Sequence, residues 1–378
     1  MKSEEIHRHL PEEIIIEIFS KLPLKSVLRF KCVCRSWLSL ISTDHFIVTY
    51  LRNSANDDDA FDLSTKIITT PSKSSRAVIK ACSLRSLITE PSTRVFSLDF
   101  PTDNSRDLFI VGSCRGLICI VMVDKYRFFL WNPKTRERKE LPDFFAGVNH
   151  RNRNCGFIAR HGFGFDESSG DYKIYVVYCL RYRPLVSVAR LYSLKADSWG
   201  EVVSVTDGSL FDPGRFVSGK LHWRSDYETG SDWIVSFDLK SETFGTIEKP
   251  NCLKDYVMSG LGVLKGRLCA YFDYPENIAT IGFDIWIWNE YGVEDSWSRL
   301  LTISYLSVSW RPKLWASYGP ITPVFVLPNE EVLFTYSSDF YTYNPKDNWV
   351  RKLDTVDFDL DGIRHAHVYT ESLVSLVP

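Results

Sequence analysis

The sequence predicts a multidomain α+β chain: a small N-terminal module of three short helices followed by an all-β propeller. Between residues 10 and 51, apolar side chains recur at helical spacing and the pattern breaks at prolines. Beyond residue 80 no long helical period occurs. Instead β-branched and aromatic runs alternate with polar turns in units of roughly 45–60 residues, the length of a four-stranded blade. The 14% aromatic content, concentrated after residue 90, fits such a sheet-rich body.

The helical module comes first. Pro11 suits a first helical turn, where its missing N–H is no loss, and Glu12 and Glu13 follow where negative charge favours a helix start. Ile14, Ile15, Ile18, Phe19 and Leu22 then hold the helical period, and Leu22-Pro23 ends it. A second helix is expected over Lys25–Val33, with basic Lys25, Arg29 and Lys31 outward, and a third from Ser36 with Trp37, Leu38, Leu40 and Ile41. Some 40 residues are too few to enclose this much apolar side chain unaided. Another surface has to cover part of it.

Residues 52–80 are polar, run through Asp57-Asp58-Asp59 and Pro71-Ser72-Lys73, and read as a linker with a short strand at Phe61–Thr69. The repeat then starts. Its most regular part is an aromatic, a polar turn and a second aromatic: Tyr192 and Trp199, Phe237 and Phe244, Trp288 and Trp297, Tyr343 and Trp349. Trp131 with Asn132-Pro133-Lys134-Thr135 is a first copy that lacks its second aromatic. Five blades are expected at about 108–142, 161–203, 215–249, 259–303 and 320–354. A sixth combines Cys82–Phe100 with a strand near Val368–Leu376, and such closure removes an exposed sheet edge. Six blades fit best, seven if the linker supplies strands.

The module resembles the F-box. Leu10-Pro11, the Ile14/Ile15/Ile18 stripe, Leu22-Pro23, the stretch through Arg29 and Phe30, and Val33-Cys34-Arg35-Ser36-Trp37 match without a gap. The remainder resembles the F-box-associated, kelch-like domain of plant F-box proteins, the group that includes S-locus F-box-like members. The matching segments are VGSCRGLICI, LWNPKTR, HGFGFDESSGDYKIYVV, GKLHW, FDLKSETF, LGVLKGRLC, IWIWNEYGVEDSW and YTESLV, in order over most of 110–375. No Gly-Gly doublet of true kelch repeats and no Trp-Asp pair occurs, and Arg115 stands where Asn is usual. The resemblance implies an F-box at 5–51, a linker at 52–80 and a propeller at 81–378. It implies that Leu10, Pro11, Ile14, Ile18, Leu22, Pro23, Leu28, Val33 and Trp37 dock a Skp-type adaptor, and through it a cullin, or hold the module together. The implied function is a substrate-recognition subunit of a Skp–cullin–F-box ubiquitin ligase, with the propeller binding the target.

Chemistry of the chain's own is not expected. There is no phosphate loop, no zinc helix and no nucleophile elbow. HGFGFD lacks the third glycine and following helix of a dinucleotide site. His365-Ala366-His367 has no third metal ligand nearby, and the cysteines read as buried structural thiols. Neither metal nor cofactor is expected. A net charge of −2 gives no general attraction for nucleic acid or membrane, and the aromatics fall at a blade period, as core does. The nine cysteines are odd in number and scattered, and neither a signal peptide nor an apolar run of about 18 residues is present. A cytoplasmic or nuclear location is expected.

Target binding is expected on the loops at 143–160, 181–187, 204–214, 224–232, 272–279 and 304–318, because long loops on a rigid scaffold carry recognition. Arg151, Arg153, Arg181 and Arg183, with His150 and Arg160, would form a basic sector there for an acidic target. Trp310, Arg311 and Trp315 are anchors of the type enriched in interfaces. Two rival readings are a scaffold that binds the adaptor without a degradation role, and a propeller enzyme acting on a small molecule.

Overall fold

The computed structural model describes residues 10–43, 45–47, 49–50, 53, 65–71, 78–100, 108–146, 157–180, 187–202, 209–226, 232–250, 253, 257–273, 282–304, 321–336, 339–356 and 363–376. Helices α1 (Glu12–Ser20), α2 (Leu24–Phe30) and α3 (Arg35–Ile41) come first. Pro11 and Pro23 hold the N-cap positions of α1 and α2 at φ −54° and −55°. Their fixed φ prepares helix entry and removes a donor that would be orphaned there.

Helix α2 ends at Phe30, earlier than the expected Val33, because residues 31–33 form a turn. That turn folds α3 back so that the Trp37 ring meets Phe19 edge-on at 4.8 Å and Phe30 at 5.3 Å. Its second effect corrects the reading of the cysteines: Cys32 and Cys34 are exposed, in and beside the turn, and are not buried thiols. The core of the module is Ile16, Phe19, Leu24, Val27, Leu40, Ile41, Phe46 and Tyr50, joined by Leu373 from the other end of the chain.

Six four-stranded antiparallel sheets follow. Blade one is Leu108–Cys114, Leu117–Met122, Arg127–Asn132 and Glu137–Glu140; blade two is Phe157–Asp166, Asp171–Leu180, Ser187–Ser193 and Ser198–Val202. Blade three is Ser209–Val217, Lys220–Asp226, Asp232–Asp238 and Thr243–Ile247. Blade four is Val257–Leu264, Arg267–Asp273, Gly282–Trp288 and Trp297–Ser304; blade five is Thr322–Val326, Val332–Tyr336, Asp339–Asn344 and Trp349–Leu353. The core lies between blades, where inward faces of adjacent sheets meet. Val111 and Leu130 of blade one pack with Phe163 and Val176 of blade two, and Tyr175 and Val177 on the other face of blade two pack with Leu221 and Phe237 of blade three.

The recurring aromatics are cross-strand partners in the outer hairpins. Tyr192 pairs with Trp199, Phe237 with Phe244 and Trp288 with Trp297. Ring centroids are 5.3, 4.8 and 5.7 Å apart, within the range of favourable aromatic pairs. Blade five departs by one residue: Tyr343 faces Val350 and Trp349 faces Asn344, which leaves Trp349 exposed. In blade one the partner of Trp131 is Arg138, whose guanidinium lies over the Phe129 ring at 5.6 Å. A cation on an aromatic face thus occupies the place of the missing ring.

Blade six closes the circle from distant segments. Its order is Ile363–Thr370, Thr65–Pro71, Ile79–Ser83 and Phe96–Leu98, with helix α4 (Leu84–Thr89) between the last two. Lys66 pairs with Tyr369 and Ile68 with His367. The expected composition is therefore corrected. The closing strand is Ile363–Thr370, and the 52–80 stretch contributes the strand Thr65–Pro71. That strand completes the sixth blade and does not add a seventh. Among the described residues no helix is long and apolar enough to cross a membrane.

Candidate adaptor-docking face

On α1 the helical period divides the apolar residues into two sets. Ile16 and Phe19 point into the module. Ile14 and Ile18, four residues apart on another face, remain 41% and 46% exposed, and Leu10 just before the helix is 58% exposed. Val33 in the turn is 60% exposed and Leu38 on α3 is 46% exposed. Five of the eight exposed large apolar side chains among the described residues thus belong to a stretch of 29 residues, 10–38. Scattered exposed apolar residues are ordinary on a monomer; a concentration of this kind marks an interaction surface.

The nine residues expected to dock or support fall into two groups. Leu10, Pro11, Ile14, Ile18, Pro23 and Val33 are exposed. Leu22, Leu28 and Trp37 pack partly buried against the core of the module. The Tyr50 hydroxyl donates to the Leu22 carbonyl at 3.2 Å, which ties the end of α1 down. Leu38 is the residue that sequence reasoning missed. Trp37, Leu40 and Ile41 mark the inward face of α3 by their i, i+3, i+4 spacing, and Leu38 lies off it.

Charge flanks the apolar face unevenly. Glu12 and Glu13 are exposed at the start of α1, and Glu17 bonds Lys21 at 2.8 Å. The hydrogen bond and the charge of Lys21 together hold the Glu17 carboxyl below its ordinary pKa. Lys25, Arg29 and Arg35 are exposed on α2 and α3. Lys31 turns toward blade one, where burial lowers its pKa and Glu137 partly offsets the cost.

Strands alternate in direction, so the turns joining first to second and third to fourth strands lie at one end of the ring. The F-box-like module sits at that end, with Leu373 in its core, Ile47 against the core of blades one and two, and Lys31 facing Glu137. The turn Arg115–Gly116 lies there too, with φ +46° and +80°. That left-handed geometry suits Asn and Gly best, which gives the usual Asn at position 115 a physical reason; here Arg115 takes it and bonds Glu167.

The loops expected to bind a target join strands at the opposite end. Arg151, Arg153, Arg181, Arg183, Trp310, Arg311 and Trp315 lie outside the described residues. Arg160 is described and is not a free member of a basic sector. Its Nε donates to the Leu210 carbonyl at 2.6 Å and ties blade two to blade three. His367 is buried in blade six, and no group of three or more metal-ligating side chains occurs among the described residues.

Comparison with known proteins settles the family. Residues 74–376 match the F-box associated beta propeller domain, and residues 8–49 match the F-box domain. The chain belongs to the plant-type F-box proteins with an F-box-associated propeller. It is 31% identical to the F-box/kelch-repeat protein At3g23880 of Arabidopsis thaliana, over 97% of this chain and 96% of the relative. It is 29% identical to the F-box protein At3g07870 of the same plant, over 89% and 85%. An F-box joined to such a propeller has the architecture of a substrate receptor, and proteins of this type are generally non-catalytic adaptors. The F-box implies a Skp-type adaptor as partner, and the propeller a target.

Proposed function

We propose that this F-box protein is the substrate-recognition subunit of a Skp–cullin–F-box ubiquitin ligase. The observation that carries the reading is the exposed apolar surface of Leu10, Ile14, Ile18, Val33 and Leu38 on a module whose other large apolar side chains are packed inward. The Skp-type adaptor covers that surface and links the chain to a cullin. The opposite end of the propeller holds the target, and Arg151, Arg153, Arg181 and Arg183 give it a preference for acidic surface. The chain contributes no reacting group. Its effect on rate is proximity: a bound target keeps its lysines at high local concentration beside the charged carrier enzyme. The partners and the free cysteines suit a cytoplasmic or nuclear protein.

The test is affinity capture of the tagged chain from plant tissue with a proteasome inhibitor present. Adaptor, cullin and a third protein that accumulates only with the inhibitor are the expected prey. Capture without adaptor or cullin refutes the assignment. Adaptor and cullin without any inhibitor-dependent protein would favour the scaffold reading instead.

A further inference from the structure

We propose that the segment Glu371–Leu376, locked in place by Asn132 and Glu137, is a strap that fixes the F-box on the propeller. On the ligase reading above, blade one thereby sets the distance and angle between docked adaptor and bound target.

The segment leaves blade six and passes beneath blade one, gripped residue by residue. Glu371 bridges Lys66 of blade six and Lys134 of blade one, the latter at 2.7 Å. Ser372 is fully buried against Gly116, where an added Cβ would lie 1.8 Å from the Ser372 hydroxyl oxygen. Leu373 points the other way, into the F-box core, and is 3% exposed. Val374 and Leu376 return to the core of blades one and two. Leu373 is thus the one residue of the segment seen in the F-box core, while its neighbours Ser372 and Val374 face the propeller, the opposite side of an extended backbone.

Two side chains of blade one hold that path. Asn132 is fully buried; its Nδ2 donates to the carbonyls of Ser372 at 3.2 Å and Val374 at 2.7 Å. Its Oδ1 accepts the Lys134 N–H at 2.9 Å, which fixes which way the amide points. Glu137 accepts from the Ser375 hydroxyl at 2.8 Å and the Leu376 N–H at 2.6 Å, and it also faces Lys31 of the F-box. Asn132 and Glu137 act through the strap and are positioning residues. The motifs LWNPKTR, VGSCRGLICI and YTESLV converge on this one junction, through Asn132, Gly116 and Ser372.

The test compares the full chain with Asn132→Leu, and in parallel Leu373→Ala with Leu373→Met as the conservative control. Hydrogen exchange follows the amides of Val374 and Leu376 and those of blades four and five. Small-angle scattering reports the maximum dimension of the free chain, and titration with a Skp-type adaptor reports F-box competence. For Asn132→Leu, the strap amides are expected to exchange at least tenfold faster and the maximum dimension to grow. Blades four and five should keep wild-type rates, and adaptor Kd should stay within threefold. Leu373→Ala should extend the molecule likewise and Leu373→Met should not. A scattering profile that stays wild-type while the strap amides open overturns the proposal. Should Asn132→Leu fail to fold, the Leu373 pair decides by the same profile. If the wild-type chain binds no adaptor, the ligase reading fails on its own, and scattering still decides whether the strap holds the F-box.

Discussion

Replacing Ile14 and Ile18 together by aspartate should abolish adaptor binding without unfolding the chain. The two side chains are 41% and 46% exposed in the free protein. Full burial of an isoleucine is worth roughly 1.5–3 kcal/mol, so covering the remaining surface of both contributes about 1.3–2.6 kcal/mol. Two carboxylates forced into the same apolar contact add a desolvation cost of several kcal/mol unless they find partners. The sum, about 4 kcal/mol or more, corresponds to at least a thousandfold weaker Kd. In the free chain the same change touches exposed positions and costs on the order of 0.5 kcal/mol each in helix propensity. The assay is titration of purified chain with a Skp-type adaptor, alongside thermal unfolding. Val27→Ala is the contrast: Val27 is fully buried, and its loss should destabilise the module by about 1–3 kcal/mol through the cavity left. Adaptor affinity within threefold of wild type in the double aspartate variant would refute the reasoning. So would unfolding as severe as that of Val27→Ala, since the isoleucines would then be structural.

Three further outcomes are expected. Gly116→Ala should lower stability by about 3 kcal/mol, from the left-handed backbone and the overlap with Ser372; an unchanged melting temperature would show that the strap does not approach so closely. His161 and His222 are buried, and burial pushes their pKa values down to about 3 and about 4 from the ordinary 6.5. The folded chain therefore keeps them neutral while the unfolded chain takes up protons. Stability is full above pH 6.5 and falls as pH drops toward the folded values, by about 2 kcal/mol per histidine at pH 5. Urea unfolding at pH 7.5 and pH 5 checks this; His222→Gln should remove about half of the loss, and equal stability at both pH values would contradict it. A thiol reagent should modify Cys32 and Cys34 in the native chain and spare Cys82, Cys114, Cys119 and Cys269. Hydrogen bonds with Ser36 and the Trp37 N–H lower the Cys34 pKa, so Cys34 should react first. Burial raises Cys82, Cys114 and Cys269 to about 12. Mass mapping of the labelled sites is the readout.

What the sequence made legible is what local chemistry writes. Pro11 announced the start of the first helix and Leu22-Pro23 its end. The pairs Tyr192/Trp199, Phe237/Phe244 and Trp288/Trp297 revealed outer hairpins because cross-strand neighbours lie a turn apart in sequence. Long-range contacts leave no such trace. Asn132 reaches a carbonyl 242 residues away, and nothing near either residue marks the other. For the same reason the short strand expected at Phe61–Thr69 reads as part of a linker and not of blade six: its pairing partner, Ile363–Thr370, lies about 300 residues on. The division of the docking residues depended on which side of α1 and α3 the module folds over. Ile14 and Phe19 are equally apolar in sequence; they lie on different faces of α1, and Phe30 and Trp37 close over Phe19 alone.

Closing a ring with its last strand has a consequence for synthesis. Lys66 and Glu371, which meet across blade six, are 305 residues apart. At a translation rate of about 5–20 residues per second, the strand Thr65–Pro71 emerges roughly 15–60 s before its inner neighbour exists. Throughout that interval its edge is unpaired, and Leu373 is missing from the F-box core. A nascent chain of this design is unable to seal either body until residues 363–376 have been made. The open sheet edge of the half-made protein is a template on which other chains of the same polysome can pair.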